Sequence, residues 1–380
     1  MAKKKLLFFS IFIIIILVFV TIYNIIYKNN NIYLNNKDEA PNFISIMLEE
    51  TVGSGEYKVS KSNKWPSKGY VFNKEMSYCN NGSTLTWNEN DNSVSVNINK
   101  TDKCYVYFDI YQLTLAEYIK SQYTGTQGEN SLYYHNSTLT NGAGDNSYRY
   151  AGASDSVNNY ICLGSDATTC PDANLFRIIG VFGNQTKVIR AKSVGYQQWH
   201  TSESNTWSSS SLNAYLNGTY LTSLGTIAEK IATTTWKVGG GSGSNISASV
   251  PATAYKNEVG SSASTTIIDK KIGLMYVSDY GFAASPSAWT KILGDYDGTD
   301  ANGTSIKTIN WMYMGYNEWT ISRHSDNTNS AFFVNSTGNV LGSNVRSDNG
   351  VRPSFNLESS VKYVSGSGSM SDPVRVTDWR

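Results

Sequence analysis

The most sustained hydrophobic pattern stands at the start of the chain. Residues 6–27 carry no charge and are mainly Ile, Phe, Leu and Val, with Lys3, Lys4 and Lys5 before them and Lys28 after. About 22 helical residues at 1.5 Å rise span roughly 33 Å, enough for a hydrocarbon core of about 30 Å. The lysine excess ahead of the run predicts a cytoplasmic N-terminus (residues 1–5) and a transmembrane anchor over 6–27. A cleaved signal peptide would have a shorter apolar core and a small-residue cleavage site, whereas this run ends in Tyr23-Asn24-Ile25-Ile26-Tyr27. The expectation is a single-pass protein of the cell membrane, with the lipid bilayer as partner and the C-terminal ectodomain outside.

Past Lys28 the pattern changes. Residues 28–41 are polar, Asn-rich and aperiodic, as in a stalk. Residues 42–111 alternate as strands do. Val94, Val96 and Ile98 share one face of 92–98, and Val106, Phe108 and Ile110 oppose Tyr105, Tyr107 and Asp109 in 104–110. The polar stretch 99–103 between them predicts a hairpin loop. This stretch reads as a small β-sandwich-like spacer module.

The remainder, 112–380, mixes strands, turns and short helices without a regular βαβ rhythm. Thr114-Leu115-Ala116-Glu117 is a capping box opening a helix through Lys120. Residues 176–181 and 187–191 read as buried strands and 209–216 as a short helix. Further strands are expected at 272–277, 331–334 and 353–357. Gly239-Gly240-Gly241-Ser242-Gly243-Ser244 reads as a flexible loop, since it lacks the strand and helix that flank a dinucleotide-binding glycine motif.

Composition narrows the function classes. A formal net charge of +1 offers nothing to attract nucleic acid. Charged residues are only 16%, but 13% aromatics supply apolar area enough for a folded core. The four cysteines form two local pairs, Cys79 with Cys104 and Cys162 with Cys170. Outside the cell such pairs persist as disulfides. Zinc is the weaker alternative, because no C-x-x-C spacing or nearby histidine accompanies them, and free thiols are the bland one.

The second module resembles a family of uncharacterised bacterial surface domains, itself similar in fold to C-type lectins and sulfatase-modifying-factor domains. The resemblance rests on an ordered set of pieces across 114–380. Ser209-Ser210-Ser211-Leu212-Asn213-Ala214-Tyr215-Leu216-Asn217 looks like the family's short helix, and Ile272-Gly273-Leu274-Met275-Tyr276-Val277-Ser278-Asp279-Tyr280-Gly281 like its central strand. Trp319-Thr320-Ile321-Ser322-Arg323, Ala331-Phe332-Phe333-Val334 and Gly350-Val351-Arg352-Pro353-Ser354-Phe355 follow in order. So do 158–162 with 174–180, and the closing Gly366-Ser367-Gly368 with Asp372-Pro373. The resemblance implies a compact domain with long loops on a rigid core. It implies no activity, because no cysteine lies between Trp311 and Arg352 and the calcium-dependent sugar motifs of true lectins are missing.

Catalytic and metal constellations are weak. His135, His200 and His324 lie far apart, and read as exposed loop residues; no G-x-S-x-G elbow appears. Asp295-Tyr296-Asp297-Gly298-Thr299-Asp300-Ala301-Asn302-Gly303 holds oxygens at alternating positions but fails the EF-hand register, so a plain Asp/Gly loop is the simpler reading. Arg352 reads as paired with a carboxylate beneath the last strands, and Trp319 and Arg323 as structural. The crowded Asn310-Trp311-Met312-Tyr313-Met314-Gly315-Tyr316 combines rigid aromatic contacts with amides, the chemistry of recognition loops; core packing of Trp311 is an even alternative.

The expected fold class is therefore α+β: a transmembrane helix, a small β-sandwich-like module, then a C-type-lectin-like α/β domain rich in irregular loops. The expected function is non-enzymatic recognition of an extracellular glycan or surface-protein ligand, without cofactor or metal. Trp311, Tyr313, Tyr316, Asn344 and Arg346 are the ligand-binding candidates. A structural envelope protein with no specific ligand is the alternative.

Overall fold

A computed structural model describes residues 43–60, 69–88, 93–97, 101–240, 246–260 and 266–377. The chain divides into two compact units, Met1–Gln112 and Leu113–Arg380. The expected anchor over 6–27, with the flanking 1–5 and 28–41, lies outside the described residues. Among the described residues no helix is long and apolar enough to cross a membrane. The single-pass topology thus gains no support from the structure and is set aside. The α+β expectation also needs correcting: both units are mostly β with few, short helices.

In the first unit β1 (Phe43–Glu49), β2 (Tyr57–Val59), β3 (Tyr70–Cys79) and β6 (Lys103–Ile110) form one sheet in the order β2-β1-β6-β3. β1 and β6 run parallel, so their inward residues Ile46, Val106 and Phe108 stack in one layer. β4 (Thr84–Asn88) pairs with β5 (Ser93–Asn97) as a separate hairpin. That hairpin supplies Leu85, Trp87 and Val94 to the same small core, with Trp87 stacked on Phe72 at 4.9 Å. The predicted alternation of 104–110 is therefore real, but the hairpin predicted across 99–103 is not. β5 belongs with β4, because Val94 finds its apolar partners on the face of the sheet rather than along its edge. Cys79 sits opposite Cys104 in the β3–β6 ladder and is disulfide-bonded to it.

The second unit is built on a seven-stranded sheet. Its path is β15-β20-β11-β10-β8-β7, with β9 paired to β10. These are β7 (Leu132–Tyr134), β8 (Tyr148–Tyr150), β9 (Tyr160–Cys162), β10 (Leu175–Phe182), β11 (Gln185–Arg190), β15 (Ile272–Gly273) and β20 (Ser354–Asn356). The buried run from Leu175 to Val181 makes β10 a central strand covered on both faces. Gly180 is required there: a Cβ would stand 2.1 Å from the carbonyl oxygen of Tyr148, where the ladder to β11 slips register. A five-stranded sheet of β12 (Tyr196–Gln198), β16 (Glu318–Arg323), β17 (Ser330–Val334), β18 (Val340–Asn344) and β19 (Asp348–Gly350) accompanies it. Two hairpins, β13 (Thr234–Lys237) with β14 (Ile267–Lys270) and β21 (Tyr363–Ser365) with β22 (Arg375–Val376), complete the strands.

Four helices matter here: α1 (Leu115–Ser121), α2 (Ser211–Tyr215), α3 (Pro251–Glu258) and α4 (Val277–Ala283). The capping box forms as the sequence predicts. Thr114 Oγ1 accepts from the Glu117 amide at 3.1 Å, and Glu117 returns the bond to the Thr114 amide at 2.8 Å. The strand expected over 272–277 stops at Gly273, because Asp279 accepts the Tyr276 amide at 2.9 Å and starts α4 instead. One continuous core spans Leu115 to Val376 and takes in Trp199, Trp207, Trp236, Trp311 and Trp319.

Cys162 and Cys170 form the second disulfide. The bridges close segments of 25 and 8 residues, which in the chain-entropy account are worth about 3.5 and about 2.5 kcal/mol. We expect Cys79→Ser/Cys104→Ser to lower the stability of the small first unit by more than the second pair's removal lowers that of the large one. Differential scanning calorimetry of the full chain, beside non-reducing peptide mapping, checks both. Equal shifts would contradict this ordering.

Candidate functional site

The loop singled out from sequence does not form one site. Trp311 is 1% exposed, its indole N–H donates to the Tyr150 carbonyl at 2.8 Å, and the Arg177 guanidinium lies 4.7 Å from its ring centroid. It is a core residue whose donor is already used. Tyr313 is half-buried and donates its hydroxyl to the Ser336 carbonyl at 2.6 Å. Tyr316 packs over Gly350, 6.1 Å from Tyr196. Asn344, the last residue of β18, and Arg346, in the turn to β19, are exposed, and Asn344 Oδ1 accepts the Arg346 amide at 2.9 Å. Arg346 also pairs with Glu203 at 3.5 Å. The five candidates do not share one environment: only Asn344 and Arg346 touch each other, and only these two are exposed.

The structural readings hold better. Arg352 is buried and makes two parallel bonds to Glu318, 2.5 Å from Nε and 2.9 Å from Nη2, with a further bond to the Met312 carbonyl. Burial pushes the Glu318 carboxyl up and the guanidinium pulls it back; the paired geometry is that of an ion pair. Trp319 is fully buried, donating to the Gln197 carbonyl at 2.9 Å. His135 is not an exposed loop residue but a core one, accepting the Ala143 amide on Nδ1 at 3.0 Å. Burial, with the Arg149 charge nearby, holds it well below the usual histidine range, hence neutral. In the 295–303 loop, Asp300 Oδ1 accepts the amides of Asn302 and Thr304 at 2.9 and 2.8 Å, which makes it a turn-former. The one ligand-type cluster among the described residues, Cys79, Asp102 and Cys104, has its sulfurs tied up in the disulfide.

A different site emerges from the sheet register. Gly180 on β10 stands opposite both Arg149 on β8 and Lys187 on β11, and Lys187 in turn opposite Asn356 on β20. Arg149, Lys187 and Asn356 thus lie in one row across the sheet, with no side chain between the two cations. All three line a cavity of about 170 Å³. Its walls are aromatic: Phe182, Trp236 from β13, Tyr255 from α3 and Tyr276 before α4. Thr234 and Thr235 add hydroxyls.

The charges in this cavity are internally matched. Asp279, in the first turn of α4, receives Lys187 Nζ at 2.5 Å on Oδ2 and faces Arg149 Nη1 at 3.6 Å through Oδ1. Arg149 Nη2 also reaches Asp145 at 2.7 Å, and its Nε the Ser147 hydroxyl at 2.8 Å. Glu258, at the end of α3, accepts the amides of Val277 and Ser278 at 2.9 and 2.8 Å and the Ser322 hydroxyl. It therefore satisfies the free amides that open α4. Burial pushes its carboxyl up. Burial also lowers the Lys187 ammonium, and Asp279 opposes that.

The rings complete the solvation of the cations. Lys187 Nζ stands 4.7 Å from the centroid of Tyr276, 5.4 Å from Trp236 and 5.7 Å from Phe182. The Arg149 guanidinium lies 4.6 Å from Phe182 and 5.0 Å from Tyr255. One polar atom is left over. Asn356 gives its Nδ2 to Thr234 Oγ1 at 3.0 Å, while its buried Oδ1 has no partner among the described residues.

Sequence reasoning passed over Arg149, Lys187, Asp279 and Asn356. The signal was a lysine opening a segment that otherwise reads as a buried strand, for a buried cation implies a buried partner. That partner lies 92 residues away, out of reach of any local pattern.

A family model described as a domain of unknown function (DUF6273) matches residues 183–359. That span includes Lys187, Trp236, Asp279 and Asn356, and leaves Arg149 outside. No curated protein and no solved structure matches the chain.

Two outcomes follow from this geometry. Burial raises the Asp145 carboxyl, but Arg149 and the Ser147 bonds outweigh it and bring it to about 2 from 3.8. A depressed carboxyl stabilises the fold above its unfolded value, so a contribution of about 2 kcal/mol should fade between about pH 4 and about pH 2. Acid-unfolding curves should show that Asp145→Asn lacks this component; identical curves would remove Asp145 from the network. Trp311→Ala should lose about 3–5 kcal/mol of stability by denaturant titration, and a loss below 1 kcal/mol would return Trp311 to the surface.

Proposed function

We propose that the unit Leu113–Arg380 is a non-catalytic recognition domain that takes one sugar unit of an extracellular glycan in the cavity over Lys187, Asp279 and Arg149. The observation that carries this is a cavity whose walls pair aromatic rings with the neutral hydroxyl and amide side chains of Thr234, Thr235 and Asn356. Flat rings stack on the C–H faces of a pyranose, and neutral hydroxyl and amide groups can exchange hydrogen bonds with its hydroxyls. The cations are already answered by Asp279 and Asp145. A neutral ligand then enters without leaving a buried charge unmatched, whereas a charged one would upset the balance.

The two disulfides are consistent with an extracellular protein and so with a ligand met outside the cell. The lectin-like resemblance of the sequence supports the same reading. Lys187 does not argue for nucleophilic chemistry, because its Nζ is engaged by Asp279.

The test is binding of the purified full chain to an array of immobilised glycans, with Asn356→Ala beside it. Loss of one hydrogen bond to a sugar hydroxyl should weaken the best-bound glycan roughly five- to tenfold, with the melting temperature nearly unchanged. Array-wide absence of binding, or undiminished binding by Asn356→Ala, would overturn the reading in favour of a protein ligand or a structural role.

A further inference from the structure

Arg149 and Tyr150 are successive residues of β8, so their side chains leave opposite faces of the sheet. Arg149 lines the cavity described above; Tyr150 lines another, of about 290 Å³. The two share no lining residue. The second is a cleft beside α1, with Tyr118 and Gln122 on one side and Asn130 and Ser131 on another. Asn158 and Ser367 also line it. Among the described residues no charged side chain lines it, and Val374 is its one aliphatic residue.

We infer that this cleft is a second binding site, for a neutral, hydroxyl-rich ligand of the saccharide class. Three observations converge on it. The first is its chemistry. Amides from Gln122, Asn130 and Asn158 and hydroxyls from Ser131, Ser156 and Ser367 offer donors and acceptors without charge. An anion or a cation would find no counter-charge there, and a peptide would find no apolar pockets for its side chains.

The second is a rigid aromatic surface. Tyr118 is stacked on Tyr363 with centroids 3.6 Å apart and planes 6° from parallel, so a ring at the cleft is held flat by its neighbour. The third is strain placed at the rim. Asn130 and Ser131 are consecutive non-glycine residues with φ of 56° and 57°. Asparagine tolerates that region and serine rarely adopts it. The conformation is held from several sides: Asn130 Nδ2 donates to the Gln122 carbonyl at 2.8 Å, the Ser131 amide to Gly128 at 3.0 Å, and the Ala151 amide to Ser131 at 3.0 Å. Such over-determined strain clusters at binding sites, where it fixes side chains that relaxed backbone would not present.

This site does not depend on the cavity across the sheet, and the test keeps the two apart. Saturation-transfer NMR of the full chain would be run with glucose, galactose, mannose and N-acetylglucosamine as probes. At least one sugar should show saturable transfer that falls at least fivefold in affinity for Gln122→Ala/Asn158→Ala. Asn130→Gly removes the left-handed strain; it should hold or raise the melting temperature and still weaken the same sugar. Asn356→Ala, in the other cavity, should leave this binding intact. Absence of transfer from all of these sugars, or binding that survives both cleft variants or vanishes in Asn356→Ala, would overturn the inference. The cleft variants should also keep whatever glycan-array binding the first cavity provides.

Discussion

Asp279 is the constraint around which the second unit is organised. Its carboxylate takes a proton donor from the backbone of α4, an ammonium from β11 and, at longer range, a guanidinium from β8. Helix α4 is only seven residues long and contributes little intrinsic stability of its own. It is held where it is because its first turn is pinned to the sheet by Asp279 and its open amides are answered by Glu258. Two acids thus dock helix on sheet, and both are buried. Removing either partner of such a contact leaves a buried charge unmatched, a far larger penalty than the contact's own net worth.

The same constraint shapes the empty space nearby. Because Gly180 stands between Arg149 and Lys187, the two cations are separated by backbone alone and can share one carboxylate. Because aromatic rings surround them, their residual field is taken up by ring faces rather than by water. What remains is a cavity with strong internal electrostatics and little outward charge. Polar selectivity there falls to the neutral groups of β13 and β20, among which Asn356 holds the unanswered acceptor.

Local structure was legible in the sequence wherever a local cause sets it. The capping box of Thr114 and Glu117 and the alternation of β6 depend on neighbours within one element, and each cysteine pair closes within one unit. Strand existence was legible too, because a buried run such as Ile178, Ile179 and Val181 has few other fates. Partners were harder. β5 could be recognised as a strand, but its choice of β4 over β6 turns on where Val94 meets Phe72 and Trp87, which no spacing encodes. The site was least legible. Aromatic crowding around Trp311 suggested a binding loop, yet the same composition serves a core whose large side chains need their N–H groups satisfied, as Tyr150 and Gln197 do for Trp311 and Trp319. Apolar bulk by itself does not distinguish a wall from a core.

Unanswered polar groups distinguish them better. In this unit the core tryptophans Trp199, Trp236, Trp311 and Trp319 each donate to a backbone carbonyl, and Arg352 meets Glu318 along two parallel bonds. Among the described buried groups that lack such a partner, Asn356 Oδ1 stands beside an aromatic cavity, and the left-handed Asn130–Ser131 pair stands beside a neutral cleft. Asn356 is on β20 of the seven-stranded sheet and Asn130–Ser131 directly precede β7, while β8 sends Arg149 to one cavity and Tyr150 to the other. A rigid sheet with both central faces buried can support two such features, because the energy each one costs is spread over a core that runs continuously from Leu115 to Val376.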